Sequence, residues 1–336
     1  MEDALILVTG GAGFVGSHVV DALLARGADV RVLDDFSTGK EENLDGAWAL
    51  AAQGGAGLQV VEGDVRDEVR MRDAVDGCAA VVHLAAAVSV PRSMTDPVGC
   101  DSVTHGGTVN AVRQAVEAGV ERIVLASSCA VYGDAEDLPI AETTRPRPLS
   151  PYASAKLAAE ETCADAADAG QLSAVCLRFF NVYGPRQDPG SAYSGVISRF
   201  LSAAAAGDAV TIYGNGRQTR DFVYVGDVVD AIVMAVQRPL TGTTVLNVGA
   251  GRQTDLLQLL DAVERQSGAA LERRAEPPRE GDIRRSCADA GRALWVLGWE
   301  AGTTLDEGLA RTWGWFVAGR GDGAWPASPR VGRDGE

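Results

Sequence analysis

The sequence predicts an α/β fold: a doubly wound parallel sheet with a smaller C-terminal α/β domain. Three observations lead to this fold class. Short apolar segments alternate with stretches of helical periodicity through the first half, a glycine-rich turn follows the first strand, and the alternation loosens after about residue 180. Alternation of strands and helices favours a parallel sheet with helices on both faces. A chain of 336 residues also exceeds what one hydrophobic core usually fills.

Each element follows from the pattern of apolar residues. Short apolar runs predict strands at 4–8, 30–33, 58–62, 81–84, 123–126 and 174–179. Spacing of about 3.6 residues predicts helices at 15–26, 69–75, 106–118 and 152–167. Later in the chain, helices around 196–206 and 256–267 and a β segment at 210–213 are expected, and the Gly/Asp/Pro-rich end at 319–336 is expected to fray.

Charge and cysteine content narrow the classes of function. The chain has 46 acidic and 30 basic side chains, a balance that disfavours a nucleic-acid partner. It contains no run of about 18 apolar residues that would span a membrane, and its first residues lack the cationic start of a secretory signal. Six scattered cysteines without a C-x-x-C pair, and only three histidines, disfavour a metal site and predict a reduced, cytoplasmic protein.

The turn after the first strand has the spacing of a dinucleotide-binding loop. Gly10, Gly13 and Gly16 would allow a tight turn, a close approach of the backbone to a pyrophosphate, and close packing of helix on strand, as in Rossmann folds. Asp34 ends the next predicted strand 18 residues after Gly16. A carboxylate there contacts the adenosine ribose and repels a 2′-phosphate, so NAD is favoured over NADP. The alternative is that Asp34 and Asp35 only begin a polar loop.

Tyr152 and Lys156 lie four residues apart at the start of a predicted helix, and therefore on one face. A free phenol has a pKa near ~10, which makes it a poor base at neutral pH. A neighbouring ammonium and a positively charged nicotinamide would favour the phenolate. Ser128 follows the strand at 123–126, at the edge where parallel sheets place their chemistry, and could hydrogen-bond a substrate oxygen. A surface Tyr/Lys pair and a polar turn are the structural alternatives.

These motifs resemble the extended short-chain dehydrogenase/reductase family, and within it the nucleotide-sugar 4-epimerases typified by UDP-glucose 4-epimerase. The resemblance covers nearly the whole chain, through the motifs at 9–18, 33–39, 63–65, 83–86, 127–133, 152–156, 178–185, 193–197, 220–225 and 279–282. It implies an NAD-binding domain at 1–180 and roughly 220–250, and a nucleotide-sugar-binding domain at 181–219 and 251–318. It also implies a homodimer that pairs the helices at 106–118 and 152–167.

The resemblance also implies three sets of site residues. The catalytic set is Ser128, Tyr152 and Lys156. NAD would be held by Gly10, Gly13, Phe14, Val15, Asp34, Asp35, Ser37, Thr38, Gly39, Asp64, Val65, Leu84, Ala85, Ala86, Thr104, Tyr152, Lys156 and Phe180. The UDP-sugar would be held by Ser128, Tyr152, Asn181, Ser194, Val196, Thr211, Tyr213, Arg220, Arg279, Asp282 and Ser286. Arginines suit a diphosphate because their guanidinium forks match its oxygens.

The implied reaction is removal and return of a hydride at C4 of the sugar. Tyr152 would take the proton of the 4-hydroxyl while NAD⁺ accepts the hydride, Ser128 would carry or position that proton, and Lys156 would keep Tyr152 ionised and hold the nicotinamide ribose. The 4-keto sugar would then present its other face. Nucleotide-sugar dehydratases, one alternative, carry an Asp–Glu pair where this chain has Cys129 and Ala130. Elimination of water is therefore disfavoured.

Two departures from the family pattern bear on function. Thr104 stands where many members have Asn, which affects the cofactor region. Ser286 stands where some epimerases have a bulky aromatic residue, so a 2-N-acetyl group is expected to fit. UDP-glucose and UDP-galactose lead the expected substrates, ahead of the UDP-N-acetylhexosamines. A UDP-glucuronate 4-epimerase, often with Thr in place of Asn181, and a non-catalytic NAD-binding protein are the remaining alternatives.

Overall fold

The computed structural model describes residues 4–188, 195–278 and 283–321. The strands are β1 Leu5–Thr9, β2 Asp29–Asp34, β3 Leu58–Glu62, β4 Ala80–His83, β5 Arg122–Ser128, β6 Ser173–Phe179, β7 Asn181–Tyr183, β8 Val210–Tyr213, β9 Thr219–Arg220, β10 Phe222–Tyr224, β11 Thr243–Val248, β12 Thr254–Asp255 and β13 Arg273–Glu276. The helices are α1 Phe14–Leu24, α2 Asp45–Ala52, α3 Glu68–Val75, α4 Val90–Thr95, α5 Pro97–Asp101, α6 Gly107–Glu117, α7 Pro151–Asp168, α8 Val196–Ala206, α9 Val225–Gln237, α10 Leu256–Ser267, α11 Gly291–Leu297 and α12 Leu305–Gly321.

Seven of these strands form one parallel sheet, in the order β11-β6-β5-β4-β1-β2-β3. Alternate residues of each strand face opposite sides. Ile6 and Val8 of β1 pack in a core with α1 and α9, whereas Leu7 packs in a second core with α3, α6 and α7. Helices therefore cover both faces, and the predicted doubly wound parallel sheet is confirmed.

Each predicted strand and helix is present, with bounds within two residues of those expected. The sequence analysis missed α9 and β11, which return the chain to the large sheet after residue 220. The apolar residues of α9 do recur at helical spacing, so this helix could have been predicted from the sequence. The fraying expected at 319–336 falls outside the described residues, apart from the last turn of α12.

A third, smaller core lies among α8, α10 and α12. It is built by Phe200, Leu201, Leu259, Leu260 and Leu309. Short two-stranded sheets, β8 with β13 and β9 with β12, border it. This part of the chain follows the loosened segment of the sequence.

Two kinds of feature are absent from the described residues. None of their helices is long and apolar enough to cross a membrane. Nor does any group of three or more His, Cys, Asp or Glu side chains among them have an arrangement that could hold a metal ion.

Two tryptophans four residues apart test the core around α9 and α11. Trp299 is fully buried and its indole N–H donates to the Asp227 carbonyl at 2.8 Å, whereas Trp295 is 86% exposed. Trp299→Ala is expected to lower the free energy of unfolding by about 3–5 kcal/mol, because it leaves a cavity and an unpaired carbonyl. Trp295→Ala should change it by less than about 0.5 kcal/mol. Urea unfolding followed by circular dichroism measures both; equal losses would contradict the assigned core.

Candidate active site

The predicted cofactor residues lie at the carboxyl edge of the parallel sheet, beginning with the turn from β1 to α1. Gly10 has a φ of +68°, and a Cβ at that position would lie 2.9 Å from the backbone nitrogen of Ala85. Gly13 is the N-cap of α1 and supplies no capping side chain, and Phe14 and Val15 begin a first turn without acidic residues. Unpaired N–H groups at a helix N-terminus bind phosphate. The turn therefore fits a dinucleotide.

The loop after β2 is organised by the buried carboxylate of Asp34. Its Oδ2 accepts from the backbone N–H of Ala12 and its Oδ1 from that of Phe36, each at 2.9 Å. Burial raises the pKa of Asp34, and the backbone hydrogen bonds oppose that rise. Asp35 accepts from the backbone and hydroxyl of Ser37, and Thr38 and Gly39 follow directly. Carboxylate oxygens retain further lone pairs, so Asp34 can still accept from a ribose hydroxyl.

Asp64 and Val65 follow β3 at the same edge of the sheet. The guanidinium of Arg66 makes charge-assisted hydrogen bonds with both carboxylate oxygens of Asp64, which lowers the pKa of Asp64. The carbonyl of Val65 accepts from the Asn110 side-chain amide at 2.8 Å. The sequence analysis missed Arg66, because a lone arginine two residues after an aspartate carries no periodic signal.

Leu84, Ala85 and Ala86 follow β4 next to the glycine turn. The Thr9 hydroxyl accepts from the backbone N–H groups of Leu84 and Ala85 and pairs with His83 Nδ1 at 2.8 Å. His83 Nε2 is buried without a hydrogen-bond partner among the described residues. Burial lowers the pKa of His83 to about 3. The neutral ring therefore holds this loop against β1.

Thr104 lies in a π turn at Ser102–Gly106, between α5 and α6. Its hydroxyl accepts from the backbone N–H of Ala87 at 3.2 Å, and its carbonyl accepts from the Thr108 hydroxyl at 2.7 Å. The residue that departs from the family pattern thus holds the 84–87 loop with a single hydroxyl.

The predicted catalytic side chains come together where β5 meets α7. Ser128 ends β5, and Tyr152 and Lys156 occupy the first two turns of α7. Burial raises the pKa of Tyr152 to about 12, and a hydrogen bond with the Ser128 side chain opposes that rise. Burial lowers the pKa of Lys156 to about 8, while its ammonium donates to the Ala126 carbonyl at 2.7 Å. In the absence of a positively charged ligand, the phenol is therefore neutral at pH 7.

A buried ion pair that the sequence analysis missed lies one helical turn beyond Lys156. Glu160 accepts from the Nε and Nη2 atoms of Arg178, at 2.9 and 2.6 Å, and from the Ser127 hydroxyl. Each charged side chain of the pair is 6% exposed. The sequence gives no sign of this pair, because Glu160 on α7 and Arg178 on β6 become neighbours only in the folded chain.

On the side of the site that is predicted to face the substrate lie Cys129, Ser286 and Arg220. Burial raises the pKa of the Cys129 thiol to about 12, and neighbouring Asp221 raises it as well. Arg220 and a hydrogen bond that the Ser286 hydroxyl donates to the Cys129 sulfur lower the pKa and so act in the opposite direction. Ser286 is buried, with its backbone N–H on the Thr219 carbonyl. Three segments distant in sequence thus meet beside Ser128.

Two further predicted residues follow β6. Phe180 is buried and its backbone N–H donates to Val248 of β11, whereas Asn181 is exposed and begins β7. The backbone N–H of Asn181 donates to the carbonyl of Asp221 at 2.9 Å, next to Arg220. Both residues therefore border the region of Ser286.

The remaining residues that are predicted to bind the UDP-sugar either line other parts of the molecule or lie outside the described residues. Tyr213 lines a cavity of about 860 Å³ together with Asp134, Arg217, Glu276 and Arg284. Thr211 is exposed on β8 and does not line this cavity, and Val196 begins α8. Ser194, Arg279 and Asp282 lie outside the described residues. The cofactor and substrate roles of all these residues stay predictions.

The loop at 184–188 is tied to the cofactor side of the molecule. Arg186 Nη2 lies 2.7 Å from Asp21 Oδ2 of α1, and Lys40 Nζ lies 3.3 Å from Asp188 Oδ2. Lys40 directly follows the loop that Asp34 organises. This loop and the two pairs are called the clasp below.

Comparisons with known proteins agree with this geometry. Residues 6–249 match the model of the NAD dependent epimerase/dehydratase family. A UDP-glucose 4-epimerase of Mycolicibacterium smegmatis is 41% identical over 308 residues, covering 91% of this chain and 96% of the relative.

Two solved structures are also similar. UDP-glucose 4-epimerase of Thermotoga maritima, solved with UDP-glucose, has a TM-score of 0.87 and 36% identity, covering 94% of this chain and 99% of the other. UDP-N-acetylglucosamine 4-epimerase of Methanobrevibacter ruminantium, solved with UDP-N-acetylmuramic acid, has a TM-score of 0.88 and 32% identity, covering 95% and 99%. The chain therefore belongs to the NAD dependent epimerase/dehydratase family and is an NAD-using epimerase of the UDP-glucose 4-epimerase type.

Proposed function

We propose that the chain interconverts UDP-glucose and UDP-galactose by inverting C4 of the sugar. The observation that carries the proposal is the cluster of Ser128, Tyr152 and Lys156 at the carboxyl edge of β5 and β6, the edge that also bears the glycine turn. Ligands of open α/β sheets bind at this edge. The division into an NAD-binding domain at 1–180 and 220–250 and a sugar-binding domain made of the other segments belongs to the same proposal.

Each catalytic side chain has a separate role in this reaction. Tyr152 takes the proton of the sugar 4-hydroxyl and later returns it. Ser128, through its hydrogen bond to Tyr152, carries or positions that proton during the transfer. Lys156, fixed on the Ala126 carbonyl, stabilises the phenolate with its charge. Bound NAD supplies the hydride acceptor and donor. The glycine turn, Asp34 and the 84–87 loop would hold it.

Elimination of water, the dehydratase alternative, lacks a base at positions 129 and 130, where dehydratases carry their Asp–Glu pair. Ala130 offers no proton acceptor, and the Cys129 thiol stays neutral because burial raises its pKa to about 12. Removal of a C5 proton would need an ionised group at this place. The side chains beside Ser128 therefore favour simple epimerisation.

Tyr152→Phe tests the proposed base. Conversion of UDP-galactose, followed by NMR of the anomeric protons, is expected to fall about 1,000-fold or more, because the proton acceptor is lost. NAD bound to the purified protein should be unchanged. Tyr183→Phe is the control, since the Tyr183 hydroxyl points to the Leu305 carbonyl of α12. Near-native turnover by the Tyr152→Phe protein would contradict the assignment of Tyr152 as the base.

UDP-N-acetylhexosamines are proposed as additional substrates, because Ser286 is small and lies beside Cys129. Ser286→Tyr should lower kcat/KM for UDP-N-acetylglucosamine about tenfold or more, and that for UDP-glucose about threefold at most. Ser286→Ala removes the hydroxyl without filling the space, so it should leave the ratio of the kcat/KM values for the two substrates unchanged. Equal losses on both substrates with Ser286→Tyr would count against the idea. UDP-glucuronate serves as a third substrate in the same assay.

We also propose a homodimer formed through α6 and α7, flanked by α4 and α5. Apolar side chains are exposed on this side of the molecule: Met94 on α4, Val98 on α5 and Val109 on α6. Val98→Glu combined with Val109→Glu is expected to give a monomer by light scattering, because buried unpaired carboxylates oppose association. Leu294→Glu, at a half-exposed position on α11, is the matched control. An unchanged mass of the double variant would exclude this interface.

A further inference from the structure

The Glu160–Arg178 pair occupies a place that the proposed reaction does not yet explain. Glu160 lies on α7 one turn after Lys156 and two turns after Tyr152. Arg178 lies on β6, and Ser127 directly precedes Ser128 on β5. The three side chains connect the catalytic helix to both strands that border the site.

Most polar atoms of the pair are used in these contacts; the exception is Arg178 Nη1, which is buried without a hydrogen-bond partner among the described residues. Both carboxylate oxygens of Glu160 accept from Arg178, and Oε1 also accepts from the Ser127 hydroxyl. Arg178 further lies over the Tyr132 ring, with Cζ 4.8 Å from the ring centre. The Tyr132 hydroxyl in turn donates to Asn247 Oδ1 on β11 at 2.6 Å. A buried pair of this kind contributes little net stability, so its retention suggests a role in orientation.

We propose that Glu160 and Arg178 form a positioning unit that fixes α7 on the end of β5 and sets the charge of Lys156. This inference rests on the proposed function, since Lys156 supports the phenolate of Tyr152. Glu160 is the negative charge closest in sequence on the face of α7 that carries Lys156. Its carboxylate favours the ammonium form, whereas burial favours the neutral amine.

Several other titratable groups face Lys156, and they differ from Glu160 in their charge at neutral pH. The titratable groups facing it are Tyr152, Glu160 and Cys163 on α7, Cys100 on α5, His83 on β4 and, through Glu160, Arg178 on β6. His83 is neutral above about pH 3, and the thiol of Cys100 is neutral because burial raises its pKa. Glu160 is therefore the ionised acid that acts on Lys156 at neutral pH.

The chain offers a direct measurement of the Lys156 charge, because it contains only two lysines, Lys40 and Lys156. Lysine labelled with carbon-13 at Cε gives two signals, and Lys40→Arg identifies them. Glu160→Gln keeps the size of the side chain and removes its charge, so the pKa of Lys156 should fall by about one unit. The alkaline limb of the pH–kcat profile should shift by the same amount. At pH 7.5, kcat should fall about threefold with little change in KM, because the charged fraction of Lys156 falls by about that factor when its pKa drops from about 8 by one unit.

A purely structural role predicts a different result. Loosening the site would admit water to Lys156, and its pKa would rise toward that of a free lysine in both Glu160→Gln and Arg178→Gln. The proposal predicts a fall in Glu160→Gln and no fall in Arg178→Gln. If Glu160→Gln does not fold, the double variant Glu160→Gln/Arg178→Gln leaves no unpaired charge, and the Lys156 pKa should fall there too.

Asp227→Asn is the matched control. Asp227 is a buried carboxylate on α9 that accepts from Thr303, outside this network, so the Lys156 signal should titrate as in the wild type. A Lys156 pKa that stays constant or rises in Glu160→Gln overturns the positioning unit, even if the wild type epimerises UDP-sugars. If the wild type shows no epimerase activity but the pKa of Lys156 falls in Glu160→Gln, the proposed function is refuted and the charge-setting role remains.

Discussion

The arrangement of the site depends on one buried carboxylate, that of Asp221. It is fully buried, and it accepts from the backbone N–H groups of Ala250, Gly251 and Ala288 at 2.8–2.9 Å. Burial raises its pKa, and these hydrogen bonds counteract the rise. A buried acceptor left unpaired is costly, so the three segments have one favourable arrangement around it. That arrangement joins the end of the large sheet to the segments that carry Arg220 and Ser286.

Local signals made much of this molecule predictable. The glycine turn, the aspartate ending β2 and the i, i+4 pair of Tyr152 and Lys156 each depend on residues close in sequence, and the structure places all of them at one sheet edge. Glu160, Arg178 and Asp221 could not be assigned, because their partners become neighbours only in the folded chain. The strand β11 was missed for the same reason: its alignment with β6 depends on tertiary contacts.

Burial acts against ionisation throughout the site. It raises the pKa values of Tyr152, Cys129 and Asp34 and lowers those of Lys156 and His83. A site with these tendencies favours neutral side chains until a charged ligand enters. Since hydrogen bonds orient Lys156, Asp34 and His83 beforehand, ligand binding has little reorganisation to complete.

The clasp bears on how fast a bound cofactor would exchange relative to catalysis. Two ion pairs hold the 184–188 loop to α1 and to the residue that follows the Asp34 loop. Contacts that hold this loop beside α1 would slow the release of a dinucleotide seated on the glycine turn. For a dehydrogenase that discharges reduced cofactor each time, this would limit the rate. An epimerase regenerates its oxidised cofactor within every cycle, so slow exchange carries no kinetic penalty and NAD can serve as a permanent prosthetic group.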